Sequence, residues 1–215
     1  SATVTLELER VNHDPHARDD YFHVLAPALA WIDDPSFSWH ESELPGAGLR
    51  SELFPRLIQG GILAAHTVGI SSPERVLSFL HALLGLYGAL AIPATWALCK
   101  SLQVERSTTI WATWLMALHF AMPYVGTRLL IESMAIPPLL LGLAFCAKQT
   151  QRDLLIGGFL IGLSTWFRYQ VGAAGLGLAV GLFWVHTRHR GLHKGIIAIS
   201  SLGIGATLAL IAQGV

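Results

Sequence analysis

Residues 157–170 read "GGFLIGLSTWFRYQ". They belong to an uncharged run, 154–167, that holds three glycines and stops at Arg168, Tyr169 and Gln170. Glycines of this kind suit the close approach of two helices inside a bilayer. An arginine ending such a run suits the membrane edge. The run is shorter than the ~20 residues that a spanning helix normally uses, so it needs tilt or local thinning of the bilayer.

The rest of the chain has the same character. Of 215 residues, 53% are apolar and 13% are charged, about half the charged fraction usual in soluble domains. Further apolar segments occupy 76–99, 108–126, 129–147, 171–187 and 195–213. Pro93 interrupts one and Pro137–Pro138 another, which is tolerable where neighbouring helices satisfy the freed carbonyls. The glycines of "VGAAGLGLAVG" also suit close packing. An all-α integral membrane protein is expected: a polytopic bundle of about six transmembrane helices over 57–215, preceded by a polar loop over 1–56.

Charge divides the chain in the same way. Ten of the fourteen acidic residues lie in the first 56 positions. Lys100 and Arg106, then Lys148 and Arg152, then Arg188, Arg190 and Lys194 fall in alternate loops. Arg75, Arg128 and Arg168 fall in the others. The positive-inside rule puts the seven in the cytoplasm and the three on the opposite side. Within 53–70, "LFPRLIQGGILAAHTVGI", Arg56, Gln59 and His66 form one polar stripe at helical spacing. That pattern suits an amphipathic helix lying in the interface, and it leaves the acidic head facing the same compartment as Arg128 and Arg168.

No basic stripe suggests nucleic acid. Cys99 and Cys146 lie in apolar runs without Cys-x-x-Cys spacing and read as buried small side chains. "SATVTLELER" alternates like a strand and has no signal-peptide character. The run "GATLALIAQGV" ends abruptly, so the sequence reads as a piece of a longer protein. His186, His189 and His193, among Arg188 and Arg190, read as a charged cytoplasmic loop.

Two readings compete for "HDPHARDDYFH", residues 13–23. His13, His16, Asp19, Asp20 and His23 have ligand chemistry, but Pro15 breaks the spacing and no strict metal motif is present. Alternatively, Asp19 and Asp20 precede the apolar "YFHVLAPALAWI", a stretch suited to rest on the membrane. A carboxylate at such a low-dielectric edge has its pKa raised and serves as a general base. Arg128 and Arg168 either snorkel or recognise phosphate. Trp39 and His40 form either an interfacial anchor or a sugar platform.

The order of a carboxylate pair, a Trp-centred segment, Gly-Leu-Arg-Ser at 48–51 and a following Phe-Pro resembles the first lumenal loop of family-22 mannosyltransferases, which have the GT-C fold. Asp19 and Asp20 stand at the family's Asp-Glu pair, with Phe22 after them. Trp39 and His40 stand at its Thr-Trp-Glu segment, His40 departing from the glutamate. Arg50 and Ser51 close the Gly-Leu-Arg-Ser match. Arg128 in "GTRLLIE" and Arg168 in "FLIGLSTWFRYQ" are similar to two further segments, with Gln170 in place of proline.

The resemblance implies inverting transfer of a sugar, mannose first, from a polyprenyl- or dolichyl-phosphate donor to a glycan or glycolipid hydroxyl. The chemistry would lie on the extracytoplasmic side, a periplasm or an endoplasmic reticulum lumen. Asp19, with Asp20, would be the base; Arg128 and Arg168 would bind the donor phosphate; no metal or other cofactor would be needed. The alternatives are a non-catalytic polytopic protein or transporter fragment, and a metal-dependent membrane hydrolase.

Overall fold

The computed structural model describes residues 24–38, 52–118 and 131–212. The regular structure among these residues is all helical, and no strand occurs among them. Their contacts separate two units, one reaching Leu86 and the other beginning at Tyr87.

In the first unit, α1 (Ala26–Asp33) packs on α2 (Leu53–Thr67). Val24, Leu25, Ala28 and Trp31 are almost fully buried. The sequence suggested that this stretch rests on the membrane; its apolar side chains are instead covered by protein. Trp31 is fixed from several sides. Its Nε1 donates to the Phe37 carbonyl at 2.8 Å, and the Arg56 guanidinium lies 3.5 Å above its ring.

α2 buries Phe54, Ile58, Ile62 and Ala65, the i, i+4, i+8, i+11 face of a helix. Arg56 and His66 are exposed and Gln59 is half-buried, so the expected polar stripe is present. Arg56 joins it together, reaching Gln59 at 3.4 Å and Glu52 at 3.6 Å. The helix passes through residue 56, the boundary at which the polar head was expected to end. It closes at Gly69 (φ +82°), where the Ile70 N–H returns to the Ala65 carbonyl, a turn that favours glycine. After it, α3 (Pro73–Ala89) buries the narrow stripe Val76, Leu80 and Leu84.

The second unit holds α4 (Ala91–Ser101), α5 (Arg106–Leu118), α6 (Ile131–Ala147), α7 (Gln151–Phe167), α8 (Val171–Arg190) and α9 (Leu192–Ile211). Each apolar segment of the sequence thus falls on helix wherever it is described. Polar flanks lengthen the two short ones to 17 and 20 residues. Two helical runs, Pro73–Ser101 and Leu192–Ile211, are long and apolar enough to cross a membrane. At 1.5 Å per residue, α9 reaches about 30 Å, the thickness of a hydrocarbon core. Only 22% and 33% of their apolar windows are buried, so neither has the coverage of a soluble core helix. Leu176, Val180 and Trp184 on α8, with Ile204 and Leu208 on α9, point outward and are each more than half exposed.

The carbonyl freed by the second proline of α6 is satisfied by a neighbouring side chain, as the sequence suggested. Pro138 lacks the N–H that would bond the Met134 carbonyl four residues earlier. The Tyr87 hydroxyl donates to that carbonyl at 2.9 Å. Ser164 of α7, fully buried, lies 3.1 Å from both the Ala135 carbonyl of α6 and the Leu160 carbonyl of its own helix. Pro93 sits in the first turn of α4, where the helix has no intrahelical acceptor to lose.

α7 organises the second unit. Thr150 caps it: its hydroxyl accepts the Asp153 N–H at 3.1 Å and donates to the Asp153 carboxylate at 2.6 Å. Gly157 faces α6, where a Cβ would meet Cys146 and the Gly142 carbonyl. Gly158 and Gly162, four apart, face α9. A Cβ on Gly158 would strike the Leu202 carbonyl, and one on Gly162 would lie 2.8 Å from the Ala206 carbonyl. Gly205 presses back on Leu155. The matching order of these contacts makes α7 and α9 parallel, joined backbone to backbone. α8 runs antiparallel between them in sequence. It meets α7 at Gly172–Thr165 and turns into α9 through Gly191 alone, whose φ of +87° favours glycine.

This register gathers Lys148, Arg152, Arg188 and Lys194 at one end of α6–α9 and leaves Arg168 at the other. Cys99 and Cys146 are free thiols, Cys146 buried. His186 departs from the loop reading. It lies inside α8, 4% exposed, with Nδ1 2.9 Å from the Leu182 carbonyl. The charged loop shrinks to the turn at Gly191, with His189 and His193 exposed beside it.

Candidate functional site

The expected site residues divide sharply. Asp19, Asp20, Trp39, His40, Arg50, Ser51 and Arg128 lie outside the described residues, as do His13, His16 and His23. Arg168 is described. It ends α7 in an extended conformation (φ −149°, ψ 110°), and its N–H donates to the Ser164 carbonyl at 3.1 Å. Its side chain is exposed, with Nε donating to Gln170 Oε1 at 3.2 Å. The polar end of the opening stretch is therefore a short turn between two helices, presenting one guanidinium and the 73%-exposed ring of Tyr169. Among the described residues, no cluster of His, Cys, Asp or Glu has the arrangement of a metal site.

Next to this turn, α7, α8 and α9 enclose an open groove of about 510 Å³. Its floor on α7 includes Ile161, Gly162 and Thr165; α8 contributes Gly172 and Leu176, and α9 contributes Gly203. The groove exists because these helices present glycine and alanine where larger side chains would fill it. A Cβ on Gly203 would meet nothing within 4 Å. Thr165 and Tyr169 supply the side-chain hydroxyls in the lining, both near the Arg168 end. The remaining length, toward Ala179 and Ile199, is apolar. The groove thus changes character along its axis, from hydrocarbon-like to polar.

Sequence reasoning singled out Arg168 as a candidate and did not anticipate the groove beside it. The signal lay in "VGAAGLGLAVG", taken there as a close-packing face. Gly172 and Gly175 line the groove, where a Cβ would meet only the side chains of Thr165 and Ile161, and Gly177 and Gly181, outside it, meet nothing within 4 Å. A small side chain shortens the distance to a neighbour only where a neighbour's backbone lies opposite. Trp166, beside Arg168, has an indole N–H buried with no acceptor among the described residues. Compared with protein-family models, curated proteins and solved structures, the chain matches none.

Proposed function

We propose that this chain forms part of a membrane glycosyltransferase of the GT-C kind, moving a sugar, mannose first, from a polyprenyl-phosphate donor to an acceptor hydroxyl on the extracytoplasmic side. Asp19, with Asp20 orienting it or sharing the task, takes the proton of the acceptor hydroxyl. The resulting oxygen attacks the anomeric carbon on the face opposite the phosphate. The bond from that carbon to the phosphate oxygen breaks, the configuration inverts, and polyprenyl phosphate leaves with its charge stabilised by Arg168 and Arg128. Trp39, His40, Arg50 and Ser51 belong to the loop that holds the substrates.

The observation that carries this reading is the position of Arg168. It is an exposed cation at the end of an apolar helix, remote from the basic end of α6–α9 and adjacent to a groove with hydroxyls at its near end. An arginine fork on phosphate needs such a location, at the junction of hydrocarbon and water. The test is transfer of labelled mannose from polyprenyl-phosphate mannose by membranes carrying the protein. The Asp19→Asn/Asp20→Asn variant loses transfer while keeping its helical circular dichroism, and Arg168→Gln loses roughly 100-fold. A chelator leaves transfer unchanged. Activity surviving in the double aspartate variant overturns the assignment.

A further inference from the structure

The groove between α7, α8 and α9 has no assigned occupant, and its shape narrows the choice. Its α9 wall runs from Ile199 to Leu210, about 16 Å at helical rise. The volume of about 510 Å³ falls in the range of small-ligand sites, about 300–1,000 Å³. Water is a poor occupant, because the lining offers it partners only at Thr165 and Tyr169, and apolar cavities stay dry.

We infer that the groove holds one hydrocarbon chain of an anionic phospholipid, with the phosphate at the Arg168–Tyr169 turn. This rests on the membrane placement of the proposed function and not on sugar transfer. Three observations converge. The wall helix α9 is long and apolar enough to span a bilayer, and in the proposed membrane placement lipid surrounds the groove. The groove is open along part of its length, with Leu176 72% exposed at its rim, so a chain enters sideways. The polarity gradient then orients the lipid: methylenes against Ile161, Leu202 and Ala206, and the head at the two hydroxyls of Thr165 and Tyr169, with Arg168 in the same turn outside the lining. A chain in the groove makes the dispersion contacts that a void forfeits. The guanidinium fork supplies the preference for phosphate over a head of zero net charge.

The experiment reconstitutes the protein in vesicles of phosphatidylglycerol and phosphatidylcholine in equal parts, re-extracts it in mild detergent and weighs it by native mass spectrometry. The expected result is one retained phosphatidylglycerol per chain. Gly203→Leu lowers that retention roughly tenfold, because the leucine fills the space of the chain. Gly181→Leu, an equal enlargement outside the groove, leaves it unchanged. Arg168→Gln removes the preference for phosphatidylglycerol over phosphatidylcholine. Retention that survives Gly203→Leu overturns the proposal, as does equal retention of both lipids in the unaltered protein. A dimer cross-linked through Gly203→Cys also overturns it, by making a second copy the occupant. Loss of sugar transfer in Asp19→Asn/Asp20→Asn with lipid retention intact separates this inference from the transferase reading.

Discussion

α7 meets its neighbours in two opposite ways. Toward α9 and α6, its glycines are pressed by backbone: Gly158 against Leu202, Gly162 against Ala206, Gly157 against Gly142. Toward α8, the same kind of residue borders open space, and the result is the groove. The same residue type produces a seam on one side and a cavity on the other. The deciding factor is what lies opposite. In the seam, the parallel run of α9 keeps its own small residues, Gly205, Ala206 and Ala209, in step with those of α7. Along the groove, the α8 glycines meet α7 side chains and not its backbone, Gly172 at Thr165 and Gly175 at Ile161, and beyond it Gly177 and Gly181 touch nothing within 4 Å.

The strongest way to break this contrast is Gly158→Leu. The new side chain meets the Leu202 carbonyl and main chain, which cannot rotate aside as a flexible side chain would. Overpacking typically costs about 1–3 kcal/mol, and a backbone obstacle belongs at or above the top of that range. Thermal or denaturant unfolding in detergent micelles should show a loss of about 3 kcal/mol or more. A loss below about 1 kcal/mol would mean that α7 and α9 can separate at little cost, and that the seam is no tighter than the groove.

The α6 side of α7 offers a smaller, sharper test. Ser164 and Tyr87 place hydroxyls on adjacent α6 carbonyls, those of Ala135 and Met134, around the Pro137–Pro138 interruption. Ser164→Ala and Tyr87→Phe each remove one donor without changing shape, and each should destabilise by about 0.5–1.5 kcal/mol. Because both act on one weakened turn, the double variant should fall short of or exceed the sum of the single variants. Strict additivity would show that the two carbonyls are satisfied independently.

How far the sequence foretold this arrangement follows from the same physics. Helix existence was legible, since the apolar runs are long for strands and lack their alternation of apolar and polar residues. The stripe of Arg56, Gln59 and His66 was legible from its spacing. So was the need for a donor at the α6 prolines, although not that Tyr87, about fifty residues earlier in the chain, provides one. The distinction between seam and groove was not legible, because spacing identifies a small-residue face but not its partner. His186 was hidden for a similar reason: its charged neighbours suggested a loop, while its own side chain turns inward with Leu182. The apolar stretch before Asp33 told of burial but not whether lipid or α2 provides it. Of the candidate site, Arg168 alone falls among the described residues; the carboxylates and the Trp39 segment rest on motif order.

The smallest expected effect is the most informative about the open side. Gly203→Leu adds four carbons at a position where nothing lies within 4 Å of a Cβ, so no overpacking term arises. Leucine also favours the helix over glycine by about 0.8 kcal/mol in exposed settings. The variant should therefore unfold at the same denaturant concentration as the unaltered protein or slightly higher, a gain of about 0–0.8 kcal/mol. Measured beside Gly158→Leu, it varies only the surroundings of one substitution. If it destabilises by more than about 1 kcal/mol, the space beside α9 closes in the folded protein and the groove is not a standing feature. If it is neutral or stabilising, the space beside α9 is open in the folded protein and the groove is a standing feature of it.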